Sequence, residues 1–209
     1  MDPGAPTPRR FGTGPRTGAT ALHASQARRG SLHSGLTVVH TALAEPADLA
    51  SARALLEEAF DGDFTAEDWE HALGGMHALA VDGGRLVGHG AVVQRRMLHR
   101  GWALRVGYVE AVAVAEDERR RGVGSALMAA LEDVVRQAYD AGALSASDDG
   151  AALYTARGWQ PWRGPTSALT PDGLRRTPEA DGSVYVLPGG TSLDPDGELT
   201  CDWRDGDLW

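Results

Sequence analysis

A strand–turn–helix passage in the middle of the chain constrains its fold more than any other segment. Residues 109–114 read Val-Glu-Ala-Val-Ala-Val, which is typical of a buried strand, and residues 122–140 carry apolar side chains at spacings of three and four. The turn between them contains two glycines, Gly122 and Gly124. Strand and helix signals alternate on both sides of this passage, which predicts an α/β domain with a central sheet.

The turn has the properties of a phosphate-binding loop. Glycine lets backbone N–H groups approach a ligand without an intervening Cβ, and a helix start adds free N–H groups and partial positive charge. Arg119, Arg120 and Arg121 stand at its rim. A Walker loop needs a lysine, which this chain lacks, and a dinucleotide fingerprint needs a third glycine where Leu127 stands. The pattern predicts a phosphate or pyrophosphate site; the alternative is an exposed, charged turn before an ordinary helix.

The remaining periodicities predict the order of the elements. Thr65 is a candidate N-cap with Asp68 three residues later, and residues 82–84, Asp-Gly-Gly, are a hairpin signal. Strands are predicted over residues 36–40, 76–81, 85–96, 102–114 and 143–146, with two later strand-like runs, and helices over residues 46–60, 65–73, 122–140 and 148–157.

The composition separates an arm from a domain. Residues 1–35 are rich in Gly, Pro, Ser, Thr, Ala and Arg and carry a formal charge of +4, which leaves −13 for residues 36–209 of a chain whose net charge is −9. We therefore expect a disordered N-terminal arm over residues 1–35 and one domain over residues 36–209. Such an acidic domain repels nucleic acid, and no apolar stretch approaches the ~20 residues of a membrane helix. We therefore expect neither nucleic acid nor a membrane as a partner.

The cysteine and histidine content and the N-terminal sequence exclude further classes of protein. Cys201 is the only cysteine, which excludes a disulfide scaffold, and we expect it to pack rather than react. The histidines lack the spacing of metal ligands, so no metal is expected. Arg9-Arg10 is not followed by the apolar segment that an export signal needs, and we therefore expect a cytoplasmic protein.

Two motifs resemble the GNAT superfamily of N-acetyltransferases. Arg119-x-x-Gly122-x-Gly124 after a strand is similar to the acetyl-coenzyme A pyrophosphate loop of that superfamily. Residues 153–159, Leu-Tyr-Thr-Ala-Arg-Gly-Trp, are similar to its second motif, in the right order and about thirty residues downstream. The resemblance implies a single GNAT-type domain in which helices flank a central mixed, mostly antiparallel sheet.

Longer segments are similar to one family within this superfamily, the aminoglycoside 2'-N-acetyltransferases of actinobacteria. The resemblance implies transfer of acetyl from acetyl-coenzyme A to the 2'-amino group of an aminoglycoside, directly within a ternary complex. It also implies a homodimer and a role in antibiotic resistance. The similar segments are residues 61–65, 68–78, 107–114, 142–147, 157–159, 164–167 and 201–209.

The same resemblance assigns roles around the acetyl donor. Glu110 is implied as the base for the substrate amine, acting through a water, although alternation along its strand also allows an outward-facing carboxylate. Tyr154 is implied as the general acid for the coenzyme thiolate; alternatively its ring only packs. The residues implied to bind acetyl-coenzyme A are Val112, Ala113, Val114, Arg119, Arg120, Arg121, Gly122, Val123, Gly124 and Ser125.

The acceptor side is expected to be acidic. Residues 57–70 carry seven carboxylates and no basic residue, and the segment from Asp194 onward carries six against Arg204 alone. These segments either line one cleft for a polyammonium sugar or are two solvated faces. Ala180 interrupts the consecutive acidic residues that the family tends to carry there, which removes one ammonium contact. The implied aminoglycoside contacts are Asp63, Glu110, Ala111, Ser145, Glu179, Asp181, Asp207 and Trp209, the last through its terminal carboxylate.

Two alternative functions stay open at this point. The same chemistry could serve another cationic amine, such as a polyamine, a cell-wall amino sugar or a protein terminus. The domain could instead bind coenzyme A without turnover, as a sensor or scaffold, although the presence of both Glu110 and Tyr154 speaks against this.

Overall fold

The computed structural model describes residues 34–147 and 150–209. The predicted arm lies outside the described residues except for Ser34 and Gly35, which belong to the first described strand. That strand therefore begins two residues before the predicted start of the domain. In these two ranges, no helix is both long and apolar enough to cross a membrane.

The helices in the described part of the chain agree with the predicted ones. Pro46 stands at the start of the first helix, where its missing N–H has no partner to lose. The second helix has the predicted capping box, in which the Thr65 hydroxyl accepts from the Asp68 N–H and the Asp68 carboxylate accepts from the Thr65 N–H. The α-helices are α1 (Pro46–Ala59), α2 (Ala66–Ala72), α3 (Val123–Ala138) and α4 (Ala151–Ala156).

The strands agree with the predicted ones only up to residue 145. After α4 the structure has five short strands where two strand-like runs were predicted, because segments of two to five residues are too short to show a periodicity. The strands are β1 (Ser34–His40), β2 (Met76–Asp82), β3 (Arg85–His99), β4 (Trp102–Val114), β5 (Ala141–Ser145), β6 (Gln160–Pro161), β7 (Thr166–Thr170), β8 (Gly173–Arg176), β9 (Val184–Pro188) and β10 (Leu199–Cys201).

All of these strands belong to one mixed sheet. Its order is β6–β9–β5–β4–β3–β10–β7–β8, and β2 joins β1 to β3. The pairs β4–β5 and β7–β10 are parallel and the others are antiparallel, which confirms the predicted mixed, mostly antiparallel sheet. Strand β3 is long enough to serve two neighbours along one edge, β2 over residues 85–92 and β10 over residues 97–99.

Glycines on β3 let α3 lie directly on the sheet. A Cβ atom at Gly88 would lie 2.8 Å from Val123 Cγ1, and one at Gly90 would lie 2.9 Å from Leu131 Cδ1. Side chains alternate along a strand, so His89 faces the opposite side, where its ring centroid lies 6.2 Å from that of Trp69 on α2. The sheet therefore separates α3 from α2.

A buried arginine fixes the segment after β10 to the face opposite α3. Arg95 on β3 is 4% exposed and donates to Asp202 Oδ1 at 2.8 Å and to the Leu208 carbonyl at 2.7 Å. Cys201 is fully buried beside this segment, which agrees with its predicted packing role. The charge-assisted hydrogen bonds of Arg95 thus hold residues 202–208 against the sheet.

Glu132 on α3 joins the helix to the chain that follows α4. It is 1% exposed and accepts hydrogen bonds from Arg157 at 2.6 and 2.8 Å, Trp159 Nε1 at 3.0 Å and Arg136 at 3.1 Å. Burial alone would raise the pKa of Glu132, but the hydrogen bonds from Arg157 and Trp159 and the nearby positive charges outweigh burial and hold this pKa below its ordinary value. The carboxylate therefore stays ionised in the folded protein.

We expect Glu132→Gln to lower the free energy of unfolding at pH 7 by about 2–3 kcal/mol, as measured by urea denaturation. The substitution leaves Arg157 beside a neutral amide, and the loss stays below that of a fully buried broken pair because Arg157 remains 19% exposed. A lowered pKa means that the stabilisation is present above the ordinary value of 4.5 and is lost as pH falls through the folded-state pKa, so the difference should narrow there.

Asp133→Asn is the matched control for this prediction. Asp133 pairs with Arg136 at 3.0 Å but is 68% exposed, so its removal should change the unfolding midpoint little. Equal losses in the two variants would contradict the role of the buried carboxylate.

Candidate functional site

Strand β4 loses its neighbour on one edge partway along its length. β3 pairs with it from Trp102 to Val114, but β5 pairs only with Val106, Gly107 and Tyr108. From residue 109 onward no described strand lies beside the second edge of β4. This open edge, residues 109–114, offers backbone groups that can pair with an extended ligand.

A β-bulge interrupts β4 within the open edge. Two residues, Ala111 and Val112, stand opposite the single residue Gly90 of β3. Ala111 adopts a left-handed φ of 51°, a conformation that is costly for a residue with a Cβ. The extra residue shifts the alternation, so that Glu110 before it and Ala113 after it face the same side of the sheet, away from α3.

The same shift decides which backbone groups reach the open edge. The Ala115 N–H donates to the Val87 carbonyl of β3 at 2.9 Å. Because backbone groups alternate between the two edges of a strand, those of Val112 and Val114 point to the open edge and those of Ala113 point to β3. Arg119 Nε donates to the Val114 carbonyl at 3.3 Å. The predicted coenzyme-binding residues 112–114 therefore lie where the sheet leaves an edge free.

The predicted phosphate turn forms at the start of α3. Gly122 is the N-cap with a φ of 91°, which glycine adopts without strain, and neither a side-chain cap nor an acidic residue occupies the first turn. The helix start therefore offers free N–H groups and positive charge to an anion. Val123 and Gly124, two of the residues predicted to bind the pyrophosphate, are half-buried. The others are exposed, namely Arg119, Arg120, Arg121, Gly122 and Ser125.

Arg157 adds a fixed positive charge to this turn. It donates from Nη1 to Ser125 Oγ at 3.1 Å, while Nε and Nη2 donate to the buried Glu132 carboxylate. By contrast, Arg121 donates to Glu118 at 2.6 Å, and Arg120 has no partner among the described residues. The turn thus combines the Arg157 guanidinium, which a buried carboxylate holds in place, with that of Arg120, which is free to follow a ligand.

Glu110 is buried on the face of β4 opposite α3 and is paired with Arg204. The Glu110 side chain is 14% exposed and that of Arg204 is 13% exposed. Arg204 Nη1 donates to Glu110 Oε1, and Arg204 Nε donates to the Asp207 carbonyl at 2.6 Å. Burial raises the pKa of Glu110 above its ordinary value, and the charge and hydrogen bond of Arg204 oppose that rise. A buried carboxylate with a raised pKa suits a general base, and it does not face bulk solvent.

Two guanidinium groups lie over the ring of Tyr108, near Glu110. The Cζ atoms of Arg95 and Arg204 lie 4.9 and 5.4 Å from the centroid of its ring. Tyr108 is 1% exposed, and its hydroxyl has no hydrogen-bond partner among the described residues. Burial and the Glu110 charge raise the pKa of Tyr108, so the phenol stays protonated. Arg204 is therefore held between an aromatic face and a carboxylate.

A small cavity adjoins the Arg204–Glu110 pair. Four predicted acceptor residues that are distant in sequence meet there, namely Ser145, Glu179, Asp207 and Trp209. Arg204 connects the cavity to Glu110, because its guanidinium donates both to the backbone carbonyl of the lining residue Asp207 and to the Glu110 carboxylate. The cavity encloses about 260 Å³ and is lined by Ser145, Arg175, Glu179, Ala180, Ser183, Gly206, Asp207, Leu208 and Trp209.

Asp181 and Asp63, like Glu110, are predicted acceptor carboxylates that do not line this cavity. Asp181 accepts from the Thr166 N–H and hydroxyl, both at 2.9 Å, and from Arg176 at 2.7 Å. These hydrogen bonds, that of Arg176 above all, lower the pKa of Asp181 to about 2. Asp63 is exposed in the turn between α1 and α2. Contact of either residue with an acceptor stays a prediction.

The two acidic segments meet at α2. His71 on α2 donates from Nε2 to the Asp205 carbonyl at 2.7 Å. A Cβ atom at Gly206 would lie 3.0 Å from Glu67 Cβ, which shows how closely the two backbones approach. Burial and the charge of Arg204 lower the pKa of His71, so its ring is neutral near pH 7. The end of the second acidic segment therefore lies against the first, whereas Asp194 and Asp196 pair with Arg100 and Arg163. A single acceptor site formed by both segments stays a prediction.

Tyr154 lies on α4 among aromatic rings. It is 9% exposed, and its ring centroid lies 6.3 Å from that of Trp159 and 6.4 Å from that of Tyr185. Its hydroxyl makes no hydrogen bond within residues 34–147 and 150–209. Burial raises the pKa of Tyr154, so the phenol stays protonated and has a proton to give. The position suits both packing and proton donation, and the role of general acid stays a prediction.

Sequence reasoning did not single out the residues that surround Glu110. Arg204 was visible only as the lone basic residue of an acidic segment, and nothing in the sequence indicated that Arg95 and Tyr108 would enclose it. Across the described ranges, no group of three or more His, Cys, Asp or Glu residues is arranged to hold a metal ion. The predicted absence of a metal stays a prediction.

Comparisons with known sequences agree with this geometry. The sequence model of the Acetyltransferase (GNAT) family matches residues 44–159. An aminoglycoside 2'-N-acetyltransferase of Mycolicibacterium fortuitum is 54% identical over 186 residues, which are 87% of this chain and 95% of that protein.

Solved structures share the fold. YhbS of Escherichia coli, a GNAT family N-acetyltransferase in complex with CoA, has a TM-score of 0.57 and 17% identity over 83% of this chain and 91% of that chain. A GNAT family acetyltransferase of Brucella melitensis in complex with acetyl-CoA has a TM-score of 0.51 and 17% identity over 80% of this chain and 96% of that chain. Since the family match covers more than half of the chain and the relative covers nearly all of it, this protein belongs to the GNAT acetyltransferases and, among them, to the aminoglycoside 2'-N-acetyltransferase family.

Proposed function

We propose that the protein transfers acetyl from acetyl-coenzyme A to the 2'-amino group of aminoglycosides, directly within a ternary complex. One observation carries the proposal: Glu110 belongs to the open edge of β4, and Arg204 connects its carboxylate to Asp207 in the lining of an acidic cavity. The relative that is 54% identical is an aminoglycoside 2'-N-acetyltransferase, which supports the same acceptor here.

The donor side has groups that fit the pantetheine arm and the pyrophosphate of coenzyme A. The free N–H groups of Val112 and Val114 suit the amides of an extended pantetheine arm, as in the addition of a strand. The uncapped start of α3 suits the pyrophosphate, and the guanidiniums around it neutralise the phosphate charge. The two solved GNAT structures with the same fold hold CoA and acetyl-CoA, which supports coenzyme A as the ligand here.

The acceptor side has the charge that a polyammonium sugar requires. Among the described residues that line the cavity, Glu179 and Asp207 are acidic and Arg175 is the only basic one. Drug-sized ligands occupy about 300–1,000 Å³, so a cavity of about 260 Å³ receives one ring of an aminoglycoside. The remaining rings would lie over the acidic surface near α2, where Glu67 adjoins Gly206.

The chemistry follows from this placement. The ammonium of the acceptor replaces the Arg204 guanidinium near Glu110, and the carboxylate takes the ammonium proton through a water. The neutral nitrogen then attacks the thioester carbonyl carbon, the C–N bond forms and the C–S bond breaks. Tyr154 gives its proton to the departing thiolate, and the acetylated nitrogen gives its remaining extra proton back to the Tyr154 phenolate. The products are coenzyme A and the acetylated amine, and Glu110 releases its proton to water.

The setting of this activity is part of the proposal. We infer that the protein acts in the cytoplasm as a homodimer and that acetylation of aminoglycosides confers resistance to them. The likeness of residues 36–209 to the aminoglycoside 2'-N-acetyltransferases supports the homodimer and the role in resistance.

Incubation with acetyl-coenzyme A and tobramycin tests the proposed function. We expect release of free thiol, and mass spectrometry should locate the acetyl group on the 2'-nitrogen. An aminoglycoside with a 2'-hydroxyl group is the control and should not be acetylated at that position. Turnover of a polyamine or amino sugar alone would favour another cationic amine, and coenzyme binding without any acceptor would favour a binding module.

Substitution of Arg204 tests the base. Because Arg204 opposes the rise in the pKa of Glu110, Arg204→Gln should let that pKa rise further and move the acidic limb of the kcat/KM profile to higher pH. Glu110→Gln should lower kcat by about 10²–10⁴-fold with unchanged affinity for coenzyme A. Arg100→Gln, whose 66% exposed side chain pairs with Asp194, is the control. An acidic limb that stays in place in Arg204→Gln would refute the coupling.

Gly124→Ala tests the phosphate turn. A Cβ there would lie 3.6 Å from Val114 Cγ2 and 3.7 Å from Leu153 Cδ2, so the folded protein has room for it, and alanine favours a helix by about 0.5–1 kcal/mol. We expect unchanged or higher thermal stability but weaker binding of coenzyme A by isothermal titration calorimetry. Gly190→Ala, with open space around its Cβ, is the control. Equal coenzyme affinity in both variants would argue against a close approach of ligand to this turn.

A further inference from the structure

A buried chain of hydrogen bonds ends at the bulge of β4. Thr41 Oγ1 lies 2.8 Å from His77 Nε2, His77 Nδ1 lies 3.0 Å from His89 Nε2, and His89 Nδ1 lies 2.8 Å from the Ala111 carbonyl. Both imidazole rings are fully buried beside Trp69. The proposed chemistry uses neither histidine, although this series of hydrogen bonds ends at Ala111, the residue next to Glu110.

The end of this chain determines the tautomer of each ring. A carbonyl can only accept, so His89 Nδ1 carries the hydrogen and His89 Nε2 accepts from His77 Nδ1. His77 Nε2 then accepts from the Thr41 hydroxyl at 2.8 Å, which is shorter than the 3.2 Å from that hydroxyl to its other acceptor, the Gly75 carbonyl. Thr41 Oγ1 itself accepts from the Gly74 N–H at 2.9 Å. Burial lowers the pKa of His77, and it lowers that of His89 to about 4, so both rings are neutral near pH 7.

The hydrogen bond from His89 acts on a strained position. Ala111 has a φ of 51°, which glycine adopts freely and alanine does not. The His89 N–H holds the Ala111 carbonyl on the face opposite α3 and so stabilises the bulge. Without the bulge, regular alternation would turn the backbone groups of Val112 and Val114 to β3 and away from the open edge.

We propose that His89, held by His77 and Thr41, is a positioning residue for acetyl transfer: it fixes the Ala111 bulge and thereby aligns Glu110 with the backbone N–H groups of Val112 and Val114. The inference deepens the proposed function and rests on the binding of acetyl-coenzyme A at the open edge. His89 touches neither substrate nor coenzyme, and it acts through the backbone that it holds.

The first test is the tautomer of each ring in the full chain. Nuclear magnetic resonance of ¹⁵N-labelled histidine at pH 7 should show His77 and His89 both neutral with the hydrogen on Nδ1. A hydrogen on Nε2 of His89, or a protonated ring, would overturn the proposal. This measurement needs no variant and no activity.

The second test removes the donor and then relieves the strain. His89→Leu should bind coenzyme A roughly tenfold more weakly and raise KM for acetyl-coenzyme A by a similar factor. His89→Asn places an amide N–H near the position of Nδ1 and should restore most of the affinity. The double variant His89→Leu with Ala111→Gly should also recover affinity, because glycine adopts the left-handed conformation without help.

The pattern of recovery separates positioning from packing. If His89 only filled the core, His89→Leu would lower thermal stability while the dissociation constant of coenzyme A and KM stayed the same, and Ala111→Gly would restore nothing; that pattern would overturn the inference. If His89→Leu does not fold, the Asn variant and the tautomer measurement still decide.

Failure of the proposed function looks different. A protein that binds coenzyme A, responds to the His89 substitutions and acetylates no aminoglycoside would keep the positioning role and lose the acceptor. If the unaltered protein does not bind coenzyme A, the proposed function fails, and backbone amide shifts of residues 111–113 in His89→Asn and His89→Leu still report whether His89 holds the bulge. Unchanged shifts in His89→Leu would overturn the inference.

Discussion

The parting of β4 from β5 after Tyr108 is the constraint on which the rest of the site depends. A strand with neighbours on both edges has no backbone groups to offer, and β4 is in that state only over residues 106–108. Beyond it, one edge is free while β3 still holds the other, so the free groups are rigid. The bulge at Ala111 then decides which groups face outward, and the start of α3 lies at the end of the same edge.

The charges around this edge do not follow the net charge of the domain. The domain is strongly acidic, yet the positions that touch the donor turn and the base carry guanidinium groups, Arg157 and Arg204. Each guanidinium is held by a carboxylate, Glu132 for Arg157 and Glu110 for Arg204. The pKa values of these two carboxylates are shifted in opposite directions. Glu132 has enough partners to stay ionised, whereas burial prevails at Glu110 and raises its pKa. One carboxylate therefore stabilises the fold, and the other is suited to exchange a proton.

Much of the fold was predictable because its longest elements have clear periodicities. The α3 helix, the hairpin of β2 and β3, and the capping box at Thr65 follow from local patterns that tertiary contacts do not override. The strands after α4 were not predictable in number, since β6 and β10 have only two and three residues and owe their conformation to neighbouring strands. The strand over residues 109–114 and the turn at Gly122 also follow from local patterns, whereas their binding of coenzyme A stays a prediction.

The sequence by itself determined the strand–turn–helix passage, the acidic character of the domain and the identity of the residues available for chemistry. Only the tertiary structure decided that Arg204 covers Glu110, that Asp181 is engaged by Arg176 and Thr166 instead of lining the cavity, and that His77 and His89 connect to Ala111. Periodicity reports which face of an element is buried, but it carries no information on which distant side chain meets it there. Those partners are chosen by packing across the sheet, where residues over a hundred positions apart, such as Arg95 and Asp202, come into contact.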